Sequence, residues 1–153
     1  MCELVVLVGV PGAGKSTIGK KYAKEHNLAV VSSDELRKTI FGDVNNQEHN
    51  KLIFDIINRI VDELLRNEIS VLVDATNTNK WSRKNYIKKS NFFDVKVSAL
   101  VVHTSIETAK RRNAMRDRVV PDFVIDRMFK NFEMPTVEEG FEEVITIDNE
   151  NDK

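Results

Sequence analysis

Residues Gly9 to Thr17 read G-V-P-G-A-G-K-S-T and satisfy G-x-x-x-x-G-K-[ST] in full. No other stretch restricts the fold so strongly. Leu4 to Val8 (L-V-V-L-V) precede it as a short apolar run of the kind that forms a buried parallel strand, and Ile18 to Lys24 follow with a helical pattern. Strand, glycine loop and helix in that order make a phosphate cradle. Backbone N–H groups of the loop point at phosphate oxygens, and the helix N-terminus adds partial positive charge. Gly12 and Gly14 let the backbone approach without a Cβ. Lys15 is expected to reach the outer phosphates of a nucleotide and Ser16 to ligate Mg²⁺, with Ala13 and Thr17 completing the loop.

Four more strand candidates follow: 28–31, 71–74, 95–102 and 144–147, with helical patterns between them. Leu52, Ile53, Ile56, Ile57, Ile60, Val61, Leu64 and Leu65 form the clearest helical stripe and read as core. Further helices are expected over 81–89, 106–116 and 123–132. Alternating strands and helices predict an α/β chain, with one parallel sheet of about five strands and helices on both faces. Ligands of such sheets bind beyond the carboxyl ends of the strands. The 153 residues suffice for one domain, placed at 1–148, and a polar tail at 149–153 is expected to fray.

Formal net charge is −1, so any polyanion contact must be local. Cys2 is the only cysteine, which fits a reducing compartment. The start Met1-Cys2-Glu3 lacks a basic leader region, and no apolar run is long enough to span a bilayer. A cytoplasmic protein without membrane contact is expected.

The remaining candidates stand at strand ends. Ser32-Ser33-Asp34-Glu35-Leu36-Arg37 follows the second strand. Ser32 and Glu35 have capping-box spacing. Asp34 and Arg37, three apart, share a helix face. The carboxylate can accept a proton from an attacking hydroxyl, and the arginine can grip a phosphate; a surface ion pair is the competing reading. Asp74-Ala75-Thr76-Asn77 ends the third strand. Asp74 resembles a Walker B acid able to hold Mg²⁺ through water, while all three polar residues can equally cap and tie the next helix.

Arg112 and Arg116 belong to the basic run Lys110 to Arg118. At four-residue spacing they can reach a triphosphate, or simply complement a helix dipole. Val119-Val120-Pro121 then breaks the helix, suiting a short helical lid. The three histidines lack metal-ligand spacing. Trp81 reads as packing rather than as a base-stacking platform. Phe92, Phe93, Phe123, Phe129 and Phe132 read as core or half-buried.

Taken in order, G-V-P-G-A-G-K-S-T, S-S-D-E-L-R, D-A-T-N and R-R-N-A-M-R with V-V-P close behind resemble the kinase domain of phage-type 5′-polynucleotide kinases. The resemblance runs to about Met134. It implies a P-loop kinase fold and transfer of the γ-phosphate of ATP to a 5′-hydroxyl end of DNA or RNA. Lys15, Asp34 and Arg116 would be catalytic, with Asp34 the general base. Gly12 to Thr17, Arg112 and Arg116 would bind ATP, and Ser16 and Asp74 the Mg²⁺. Arg37 would grip the acceptor's 3′-phosphate; Val120 would line its mouth, and Asp74, Thr76 and Asn77 the same site. No D-x-D phosphatase signature is present, so kinase activity alone is implied. Asn79-Lys80-Trp81-Ser82 is not the guanine signature N-K-x-D, which leaves ATP as the default donor and other triphosphates as substitutes. A small-molecule kinase of the same fold (sugar, nucleoside or antibiotic acceptor) and an ATPase or nucleotide-switch module are the alternatives.

Overall fold

The computed structural model describes residues 2–43, 48–116 and 119–150. Met1, Asp117 and Arg118 of the basic run, and the tail from Asn151, lie outside the described residues. Five strands, β1 (Glu3–Val8), β2 (Ala29–Ser32), β3 (Val71–Asp74), β4 (Lys96–His103) and β5 (Glu143–Asp148), form one parallel sheet in the order β2-β3-β1-β4-β5. Val5 registers with Leu72 on one side and Ser98 on the other. The helices are α1 (Lys15–His26), α2 (Ser33–Phe41), α3 (Asn50–Arg66), α4 (Lys80–Phe93), α5 (Ile106–Asn113) and α6 (Asp122–Lys130).

Both faces of the sheet are covered, and β1 shows how. Side chains alternate along a strand. Leu4, Val6 and Val8 pack with Ile53, Ile57, Val61 and Leu65 of α3 and Tyr86 of α4. Val5 and Leu7 turn the other way, into a second core with Ala23 of α1, Ala109 of α5 and Ile125 of α6. A strand buried on both sides must be apolar throughout, which is why β1 carries no polar residue after Glu3.

The apolar stripe of α3 is narrower than its sequence suggests. The ridge Ile53, Ile57, Val61 and Leu65 is sealed, whereas Leu52, one position away from Ile53, is exposed. Three aromatic expectations also fail: Trp81 is 85% exposed, and Phe92 and Phe123 are exposed as well. Trp81 stands in the first turn of α4, whose buried face is set instead by Arg83, Tyr86 and Ser90. The tail is tied further along than expected. Asn149 N–H donates to His103 O at 2.8 Å, and its side chain donates to Ala13 O at 2.9 Å. Glu150 accepts hydrogen bonds from Thr104, Ser105 and Thr108 at the start of α5. These bonds hold its carboxyl down at about 2. No helix among the described residues is long and apolar enough to cross a membrane.

Candidate active site

The glycine loop joins β1 to α1 at the carboxyl edge of the sheet. Gly12 and Gly14 have φ of 88° and 82°, the left-handed region that favours glycine. Gly12 is further constrained by a neighbour, since a Cβ there would lie 2.0 Å from Ala109 O of α5. With no acidic residue in the first turn of α1, its N-terminal N–H groups keep their positive end for an anion. Gly12, Gly14, Lys15, Ser16, Thr17, Arg112 and Arg116 line a cavity of about 180 Å³. Ala13 is buried, and its carbonyl accepts from Arg112 Nη1 at 3.4 Å.

The Ser16 hydroxyl donates to Asp74 Oδ2 at 2.8 Å. Asp74 is buried at the end of β3, directly beside the loop. Two hard oxygen donors in contact suit Mg²⁺, which binds through one or two protein oxygens and substrate phosphates. Asp74 therefore faces the phosphate side and does not line the larger cleft described next. Asn77 is likewise absent from that cleft and lines an adjoining groove between α3 and α4. Its amide donates to Leu7 O at 2.9 Å, tying β1 to the loop after β3. Thr76 does line the cleft, and its carbonyl accepts from Gly9 N at 3.0 Å.

Asp34 and Arg37 stand in the first turns of α2. Ser32 starts this helix by accepting from Glu35 N. Arg37 is 4% exposed, so its contact with Asp34 is not a surface ion pair. Its Nη1 donates to Asp34 Oδ1 at 3.1 Å and its Nη2 to Asn50 Oδ1 at 2.7 Å. Asp34 Oδ2 accepts from Arg116 Nη2 at 3.4 Å. The carboxylate thus joins two cavities, through Arg116 to the phosphate cavity and through Arg37 to a cleft of about 570 Å³. Ser33, Arg37, Asn50, Phe54, Thr76, Val120 and Arg127 contribute to that cleft.

Arg112 and Arg116 reach one cavity, though not from one helix. The expected helix over 106–116 ends at Asn113. Asn113 is buried, its amide donating to Val120 O at 2.6 Å while its side-chain oxygen accepts from Val120 N at 3.0 Å. That double clasp turns the chain back, and Met115 N and Arg116 N close tight turns onto Arg112 O and Asn113 O. It also fixes Val120 at the cleft wall before Pro121 opens α6.

Sequence reasoning missed Asn50, Asn113, Phe54 and Arg127. Asn113 stands inside the R-R-N-A-M-R motif and was available from it. Asn50 and Arg127 carry no local signal; they reach the cleft only because α3 and α6 pack where they do.

The family described as an AAA domain matches residues 4–135. The chain is 31% identical over 147 residues to a bifunctional polynucleotide phosphatase/kinase of Schizosaccharomyces pombe, covering 93% of this chain and 32% of that protein. It is 28% identical over 137 residues to an L-seryl-tRNA(Sec) kinase of Methanococcus maripaludis, covering 86% and 53%. The chain thus spans about a third to a half of the length of these curated relatives. Among solved structures, the Pnkp1/Rnl/Hen1 RNA repair complex contains a chain with TM-score 0.73 and 24% identity, over 85% of this chain and 43% of that one. The fold is that of P-loop kinases, and the resemblance to polynucleotide kinases read from the motifs recurs in these relatives.

Proposed function

The chain belongs to the AAA-domain family, and from that premise we propose that it is a polynucleotide 5′-hydroxyl kinase. Its residues 1–148 act as one catalytic unit in the cytoplasm, moving the γ-phosphoryl group of ATP to a 5′-hydroxyl end of DNA or RNA. One observation carries the reading: the Asp34 carboxylate touches an arginine of each cavity. A catalyst that joins a phosphate donor to an alcohol needs a proton acceptor where the two substrates meet.

In this reading the loop and Lys15 hold the donor phosphates, and Arg112 and Arg116 balance charge on the moving group. Asp34 takes the acceptor's hydroxyl proton. Arg37 fixes a phosphate of the acceptor, with Thr76 and Val120 along the wall. Mg²⁺, held by Ser16 with Asp74 behind it, would neutralise phosphate charge when bound. Positioning and electrostatic complementarity supply most of the rate. Asp74 serves the donor side, and Asn77 keeps the loop in place.

The test is transfer of labelled phosphate from ATP to a panel of acceptors. The panel holds 5′-hydroxyl DNA and RNA, a 3′-phosphorylated nucleoside, sugars, seryl-tRNA and no acceptor, with Lys15→Ala as the inactive control. Label on the oligonucleotides and the 3′-phosphorylated nucleoside is the expected outcome. Label on a sugar alone would make the chain a small-molecule kinase. Label on seryl-tRNA alone would align it with the Methanococcus relative. Release to water alone would reduce it to an ATPase.

A further inference from the structure

Trp81 has no packing role, and it stands on the edge of a second groove. We propose that the groove between α3 and α4 binds the single-stranded polynucleotide that continues beyond the acceptor's first nucleotide, with Trp81 as its base-stacking platform. The proposal rests on the polynucleotide reading above and assigns a site outside the catalytic cleft.

Four observations support it. The groove encloses about 580 Å³ and shares Asn50 and Phe54 with the acceptor cleft, so the two are continuous. Its walls are two facing helical stripes. Lys51, Phe54 and Asp55 come from α3, and Trp81, Lys84 and Lys88 from α4, at spacings that keep each set on one side of its helix. Three lysines face one aspartate there, and the nearby carboxylates of Asp62 and Glu139 are already engaged by Lys89 and Arg83. Lys51 pairs with Asp55 at 2.9 Å, which leaves Lys84 and Lys88 as surplus positive charge on a chain of net charge −1. Polar groups line the base of the groove, where Asn85 Nδ2 donates to Asn58 Oδ1. An exposed indole beside lysines, leading from a site for a chain end, has the chemistry of single-strand binding. Bases stack on the ring, and ammonium groups follow the phosphates.

Trp81 is the only tryptophan in the sequence, so the fluorescence of the chain reports on the surroundings of this one ring at the groove edge. The experiment titrates the full chain with a 3′-phosphorylated mononucleoside and with single-stranded 5′-hydroxyl oligomers of about four and about eight nucleotides, as DNA and as RNA. Phosphorylation of each is followed in parallel. Emission should be quenched by the oligomers and not by the mononucleoside, and oligomer KM should be about 10-fold lower. Trp81→Ala should erase that length advantage while leaving mononucleoside kinetics unchanged. Lys84→Glu with Lys88→Glu should weaken oligomer binding and flatten its salt dependence.

Phosphorylation independent of length, with no quenching, overturns the groove and leaves the kinase reading standing. Length-dependent quenching without phosphorylation does the reverse. A Trp81→Ala defect equal for the mononucleoside and the oligomers also overturns the groove.

Discussion

Arg83 and Arg37 are both sealed from solvent, at 0% and 4% exposure, and both meet a carboxylate. Their surroundings differ. Arg83 of α4 makes a fork against Glu139, with Nε to Oε1 at 2.7 Å and Nη2 to Oε2 at 3.1 Å. Its Nη1 donates to Asn77 O at 2.9 Å, so the same side chain braces the loop after β3. Arg37 meets Asp34 through one nitrogen and Asn50 through another, and it lines the large cleft. Burial and pairing do not separate the bracing arginine from the one proposed to grip the acceptor. The distinction is whether the guanidinium borders empty space, and whether its carboxylate is also held by a second functional group. Glu139 instead accepts from the backbone of Thr136 at its own turn, while Asp34 reaches Arg116.

That contrast can be broken in three ways. Arg83→Ala should have the largest effect, about 3–5 kcal/mol of stability, because it leaves Glu139 without its partner in a closed site. Chemical denaturation would measure it, and a loss under about 1 kcal/mol would remove the distinction from Arg37. Asp34→Asn should lower turnover by about 10²-fold, with ATP binding preserved. Single-turnover transfer checks this, and unchanged turnover would show that the carboxylate only positions Arg37 and Arg116. Arg37→Ala should raise acceptor KM by about 10-fold through loss of a charge-assisted phosphate contact, with ATP KM little changed. The opposite split would place Arg37 on the donor side.

The smallest effect concerns the tie between the tail and α5. The Glu150 carboxyl is held at about 2 against an ordinary value of 4.5, first by the Thr108 hydroxyl and then by Ser105 and Thr104. A depressed carboxyl contributes stability that is fully present above about 4.5 and disappears as pH falls toward 2. An NMR titration of Glu150 should therefore show its midpoint near the lower value, and a midpoint near 4.5 would mean the tie is not kept in solution.

Much of the site was legible because its signals are local. The glycine loop, the Ser32 helix start with Asp34 and Arg37 behind it, and Asp74 at a strand end all follow from residues within a few positions of one another. The reach of Arg116 was legible too, although by the wrong geometry. The spacing suggested one helix face, whereas Asn113 ends the helix and folds the chain so that a residue beyond it enters the cavity. Trp81 was misread for a related reason. A large apolar ring in a helical pattern is ordinarily core, and only the rotation of α4 set by Arg83 and Tyr86 places the ring outside.

The sequence by itself determined the strand–loop–helix cradle, the two-sided burial of β1 and the chemical types gathered at the strand ends. Each rests on steric freedom, side-chain alternation or short-range hydrogen bonding, which act between near neighbours in the chain. The tertiary structure decided that Asp34 joins two cavities, that Asp74 turns to the phosphate loop rather than the cleft, and that α3 and α4 leave a basic groove between them, with Asn77 on its wall. Those outcomes depend on how helices pack against a shared sheet, and packing couples residues as far apart as Asp34 and Arg116, whose encounter no local pattern encodes.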